Sequence, residues 1–95
     1  MGNVGKFGLD VQPLTPDLAK QLGYEGQHGV LVTEVEPGSP AEMANLQTGD
    51  LIAEADRQPV KNVDDLRSAM AKSKDTVLLL VKRKDASLFV TMRIG

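Results

Sequence analysis

The sequence predicts an α+β domain built on a mostly antiparallel sheet, with five or six short strands and two or three helices. Three observations lead there. Short runs of alternating or β-branched residues recur along the chain. Several segments open with a capping hydroxyl or amide just before helix-forming residues. Gly- and Pro-containing turns separate these runs. With 95 residues and 10.2 kDa, the chain fits one domain, burying roughly 64% of its extended-chain surface on folding.

Phe7-Gly8-Leu9-Asp10-Val11 alternates and reads as a strand stopped by Pro13. Thr15-Pro16-Asp17 starts a helix, with a capping hydroxyl, Pro at the first position and then an acid; Gly23 is placed to end it. Residues 29–36 form a β-branched strand. Pro37-Gly38-Ser39-Pro40 turns into a short helix, Ala41 to Leu46, with Ser39 as cap. After Gln47-Thr48-Gly49-Asp50 comes a strand, Leu51 to Ala55, broken at Gln58-Pro59. Asn62 caps a helix over 63–72 with Val63, Leu66, Ala69 and Met70 at helical spacing. Thr76 to Lys82 reads as a central strand. Lys84-Asp85-Ala86-Ser87 turns it into a last strand, Leu88 to Ile94, with Leu88, Val90, Met92 and Ile94 on one face.

Composition excludes several functions. Without Cys there is no disulfide framework, thiolate metal site or Cys nucleophile, and a lone His28 leaves little for a His-based metal site or general base. His28, between glycines in a loop, reads as a surface residue. Ser39, Ser68, Ser73 and Ser87 lack the G-x-S-x-G setting of a serine nucleophile. Asp64 and Asp65 follow a capping Asn in a helix's first turn, where negative charge suits the dipole, so they are not read as a catalytic pair. No catalytic residue, metal or cofactor is expected. No apolar run approaches the roughly 18 residues of a membrane span. Met1-Gly2-Asn3 lacks the basic and apolar regions of a signal peptide and reads as the start of a segment from a longer protein.

Net charge is −2, unevenly spread. Residues 1–56 carry two basic and nine acidic residues, and residues 57–95 carry nine basic and four acidic ones. The two readings are a surface on which the halves intermix and a basic face for an anionic partner. Nucleic acid is disfavoured, because no dense Lys/Arg stripe interleaves with aromatic residues.

Four segments in order carry a resemblance: Phe7-Gly8-Leu9; Gly29-Val30-Leu31-Val32 with Pro37-Gly38-Ser39-Pro40-Ala41; Leu46-Gln47-Thr48-Gly49-Asp50-Leu51-Ile52; and Val60-Lys61-Asn62-Val63-Asp64-Asp65-Leu66. Together they resemble a PDZ domain in its bacterial, circularly permuted arrangement, a partly open barrel. Gln58 to Leu66 and the ending from Leu79 resemble the PDZ domains of HtrA (Do-like) serine proteases, and within them the second, C-terminal PDZ. The resemblance implies a domain over 7–95 preceded by linker residues 1–6, belonging to a periplasmic or cell-envelope protease whose catalytic triad lies in another domain.

The resemblance also implies a site. A peptide C-terminus or an extended segment of an unfolded polypeptide adds as a strand beside an exposed sheet edge. Phe7, Gly8 and Leu9 match the family's carboxylate-binding loop, where a Gly lets backbone approach an anion. Phe7, Leu9 and Val11 are expected to face one way and line an apolar pocket. Val63, Arg67 and Met70 form the opposite wall, with Leu66 and Ala69 turned to the core. Core packing for Met70 and a solvated position for Arg67 are the plain alternatives. A second function, from a different class, is an assembly module that docks other domains of the parent protease, builds oligomers and binds peptide weakly.

Overall fold

The computed structural model describes residues 2–4, 7–83 and 86–94. Its elements run β1 (Gly2–Val4), β2 (Leu9–Pro13), α1 (Pro16–Leu22), β3 (Val30–Val35), α2 (Pro40–Met43), β4 (Leu51–Ala55), β5 (Gln58–Pro59), α3 (Val63–Lys72), β6 (Thr76–Arg83) and β7 (Ala86–Arg93). The strands form one antiparallel sheet in the order β1-β2-β3-β4-β6-β7, with β5 beside β4. The sheet is open, with β1 and β7 as its ends. The expected α+β class and its three helices are present, six strands lie on the continuous path, and the two-residue β5 stands to the side. Lys84 and Asp85 of the expected last turn lie outside the described residues.

Local chemistry explains the helix ends. The Thr15 hydroxyl accepts from the Leu18 N–H, Ser39 from Glu42 and the Asn62 side chain from Asp65, so each helix has an N-cap. Helix α2 stops at Met43 rather than reaching Leu46, because Asn45 turns left-handed at φ 67°. The Asn45 and Leu46 N–H groups then donate back to the Glu42 and Ala41 carbonyls, a Schellman closure with Asn in the place usually taken by Gly.

Two bulges set which side chains face inward. The β2–β3 pairing passes from Asp10–Glu34 to Val11–Val32, leaving Thr33 as an extra residue. Leu9 therefore stands opposite Val35 and Val11 opposite Val32, so apolar residues meet on one face. The β4–β6 ladder steps over Ala53 in the same way. The main core gathers Leu9, Val11, Val30, Val32, Ile52, Leu66, Val77, Leu79, Val81 and Met92. A second cluster on the opposite face, Ala19, Tyr24, Leu31 and Leu51, is formed with α1. Covering both faces is why Val30, Leu31 and Val32 are all buried, where strict alternation would leave one outside.

An ion pair joins the acidic and basic halves of the chain. Asp50, 3% exposed, receives the Arg83 guanidinium through Nε at 2.8 Å and NH2 at 3.0 Å, and the Gln47 N–H at 2.9 Å. The same guanidinium donates to the Asn45 carbonyl, tying the end of α2 to β6. Nearby, the Tyr24 hydroxyl lies 2.8 Å from the Gly49 carbonyl and 2.9 Å from that of Lys82, close enough to donate to either. Burial, followed by the charge of Asp50, pushes the Tyr24 phenol above its ordinary range. In the sheet the two halves lie side by side, β1 to β4 from the acidic half and β6 and β7 from the basic one, and they meet at the β4–β6 ladder.

A second polar clamp holds the β4–β5 turn, where Asp56 and Arg57 both have positive φ, the pattern of a tight hairpin. The Asp56 carboxylate accepts from the Leu78 N–H at 2.9 Å and from the Ser73 hydroxyl. These bonds, the Leu78 N–H first, favour the ionised carboxylate and hold its pKa below the ordinary carboxylate range.

Two outcomes follow from the clamps. Arg83→Met leaves a buried carboxylate without its cation and lowers stability by about 2–3 kcal/mol in urea unfolding; Arg83 is partly exposed, which keeps the cost under that of an interior pair. For Asp56, a depressed folded-state pKa means stability that is present above the unfolded value and lost as pH falls through the folded one. Asp56→Asn is therefore less stable than the parent chain at pH 7, and its unfolding midpoint falls less between about pH 5 and pH 2.

Candidate functional site

The segment before β2 is shaped by one glycine. Gly8 has φ +72°, a region that L side chains rarely adopt, and a Cβ there would overlap the Cβ of Ser39. Its carbonyl accepts the Glu36 N–H at 2.8 Å. Ser39 is fixed in turn, its hydroxyl donating to the Glu36 carbonyl at 2.7 Å and accepting from the Glu42 N–H at 3.2 Å. The Glu42 carboxylate accepts from the Gly38 N–H at 2.8 Å. The Pro37-Gly38-Ser39-Pro40 turn thus braces the Phe7-Gly8-Leu9 loop from behind. Sequence reasoning took Ser39 as a helix cap only; its second task becomes visible when β3 brings residue 36 beside residue 8.

Helix α3 packs against β2, the strand that the loop leads into. Leu9 and Val11 are each 1% exposed, and Leu66 and Met70 belong to the same core cluster. Val63 and Ala69 pack against that cluster half-buried, whereas Arg67 is exposed. The expected stripe is therefore divided. Met70 is buried in the core cluster alongside Leu66, as in the core-packing alternative; the turn of α3 that carries Leu66 inward takes residue 70 with it. Val63 stands at the margin and Arg67 points to solvent on the next turn.

Phe7 is buried in the same core cluster as Leu9 and Val11. Residues 7 and 8 precede the strand, and the left-handed Gly8 interrupts the two-residue alternation. Phe7 also borders a cavity of about 350 Å³ between α2 and β7, lined further by Met43, Ala44, Thr91 and Ile94. Met43 at its rim is largely exposed, as is Phe89 on β7.

The strand-addition edge of β2 is not bare, as an open groove requires. One edge pairs with β3 from Leu9 to Pro13. The other pairs with β1, Gly2 opposite Val11, Asn3 opposite Asp10 and Val4 opposite Leu9. The expected linker over residues 1–6 thus contains a strand, while Met1, Gly5 and Lys6 lie outside the described residues. A composition of Gly, Asn and a single Val gives no strand signal, so nothing in the sequence alone marks β1.

A family model described as PDZ domain matches residues 5–94. The chain is 39% identical over 90 residues to a probable periplasmic serine endoprotease, DegP-like, of Chlamydia trachomatis, covering 93% of this chain and 18% of that protein. It is 33% identical over 93 residues to the mitochondrial serine protease HTRA2 of Drosophila sechellia, covering 90% of this chain and 22% of that one. The chain therefore spans about a fifth of the curated relatives it matches. Among solved structures, it is similar to the HtrA3 PDZ domain bound to a phage-derived ligand, FGRWV, with a TM-score of 0.81 and 28% identity over 92% of this chain and 81% of that one. It is also similar to the HtrA-type protease AlgW with a decapeptide, with a TM-score of 0.77 and 27% identity over 94% of this chain and 28% of that one.

Substituting the pivot of the loop tests its geometry. Gly8→Ala places a methyl against Ser39 in a left-handed conformation, and costs more than about 2 kcal/mol in thermal or urea unfolding. Gly23→Ala, equally left-handed but with nothing near its Cβ position, costs about 1 kcal/mol and separates crowding from backbone strain.

Proposed function

Because this chain belongs to the PDZ domain family, we propose that it captures the C-termini or extended segments of polypeptides by strand addition along β2. It does so as the non-catalytic binding module of an HtrA-like serine endopeptidase. The observation that carries this reading is the position of β2: its outer edge already accepts an antiparallel strand, and the loop at its start is folded around a glycine that no other residue can replace without overlap. Similar domains in solved structures hold a phage-derived ligand in one case and a decapeptide in another.

In this reading Phe7, Gly8 and Leu9 receive the terminal carboxylate, since left-handed glycine turns backbone amides towards one point. Val63 flanks the bound strand, Val11 and Met70 support the floor from within the core, and Arg67 on the exposed face of α3 favours an acidic side chain upstream of the terminus. The parent's residence in the periplasm follows the relatives so named in Chlamydia trachomatis and Rhizobium meliloti. We place the chain as the parent's second, C-terminal PDZ domain on the resemblance of residues 58–66. Docking of other parent domains is the second reading, and the exposed Met43 beside the α2–β7 cavity favours it.

Titration with FGRWV, followed by NMR, tests the proposal. The expected result is saturable shifts at the Phe7, Gly8 and Leu9 amides, weakened at least tenfold when the peptide ends in a carboxamide. Absence of shifts at millimolar peptide overturns the carboxylate assignment. Arg67→Glu is expected to reverse any preference between Asp and Lys at the third position from the peptide's end; an unchanged preference removes Arg67 from the site.

A further inference from the structure

We infer that the Gly2–Val4 strand is a built-in competitor for the peptide groove: it occupies the edge of β2 that a ligand must use, and it yields to ligands that pair better. This rests on the peptide-capture reading above. A strand has two edges, and β3 fills one of those on β2 along its length. Any added strand must use the other, which β1 holds at Leu9, Asp10 and Val11. These are the positions next to the carboxylate-binding loop, so the two cannot bind together.

Polarity makes the overlap specific. β1 runs antiparallel to β2 and brings its last residue, Val4, opposite Leu9 at the loop end. A peptide whose carboxylate sits at Phe7-Gly8-Leu9 runs in the same direction, with its final residues opposite Leu9 and Asp10. Gly2-Asn3-Val4 therefore follows the path of a ligand's last residues, except that the chain continues through Gly5 and Lys6 where a ligand would end. It fills the ladder and supplies no terminal carboxylate.

The energetics suit a competitor that can be displaced. Four residues separate β1 from β2, so the tether keeps the strand at a high effective concentration, on the order of millimolar or above. Against that, three residue pairs form among the described residues, one of them with a glycine, and short two-stranded pairings are weak by themselves. A peptide adds the carboxylate interaction that β1 lacks. If β1 is paired about 90% of the time, apparent affinity for peptide falls about tenfold below its intrinsic value.

Two variants of the full chain move the balance in opposite directions. Asn3→Pro with Val4→Pro removes N–H groups at successive residues, covering both phases of the ladder without altering β2. Gly2→Val strengthens the strand. FGRWV is titrated into each, with NMR spectra reporting that the fold is kept. The expected result is binding about tenfold tighter for the double-proline chain and several-fold weaker for Gly2→Val. Equal affinity across all three folded proteins overturns the competitor role and leaves peptide capture standing. If the double-proline chain misfolds, Gly2→Val decides alone, and unchanged affinity there overturns the inference. No binding by any of them at millimolar peptide overturns peptide capture and the competitor role together.

Discussion

The ladder between β2 and β3 is the constraint on which the rest of this domain depends. It holds Leu9 and Val11 against the core, and through the Glu36 N–H bond to Gly8 it sets the loop ahead of them. The extra residue at Thr33 is part of this arrangement. Without that step, Leu9 would stand opposite Glu34 instead of Val35, and a charged side chain would be driven towards the apolar face. With β3 committed to one side of β2, a strand can be added to β2 along its other edge alone, where β1 lies. The binding property is thus a consequence of sheet order, and the side chains around it tune what is already determined by the backbone.

Much of this architecture was legible in the residues. Caps at Thr15, Ser39 and Asn62, the left-handed Gly23, and the alternation of Val77, Leu79 and Val81 carry their signals locally, because each depends on neighbours within four positions. What escaped sequence reasoning is contact between distant residues. Ser39 reads as a cap, and its support of Gly8 exists because β3 carries the chain back. Met70 and Arg67 share a helix with Val63, and spacing alone could not say which of them the core would take. β1 reads as linker because its three residues have no pattern; it pairs because a short connection holds it beside an open edge.

The uneven charge of the two halves resolves into sheet topology. Asp50 comes from the acidic half and Arg83 from the basic one, and β4 and β6 are neighbours that bring them together. The Gly49-Asp50 turn that reads as local punctuation is therefore also a long-range tie. Through Arg83 it connects the end of α2, and hence the Ser39 side of the loop's brace, to β6. Strain introduced at either place is shared by both.

Tyr24 has a consequence outside binding altogether. It is the one tyrosine of a chain without tryptophan, and its hydroxyl lies between the Gly49 and Lys82 carbonyls in the smaller apolar cluster. The near-ultraviolet emission of this protein therefore comes chiefly from a single phenol, lodged where α1, the Asp50 turn and β6 converge. Nature has placed an optical gauge at that corner of the molecule and none in the groove. Intrinsic fluorescence accordingly reports on the integrity of the scaffold, and a peptide entering beside β2 passes unseen unless it brings its own chromophore.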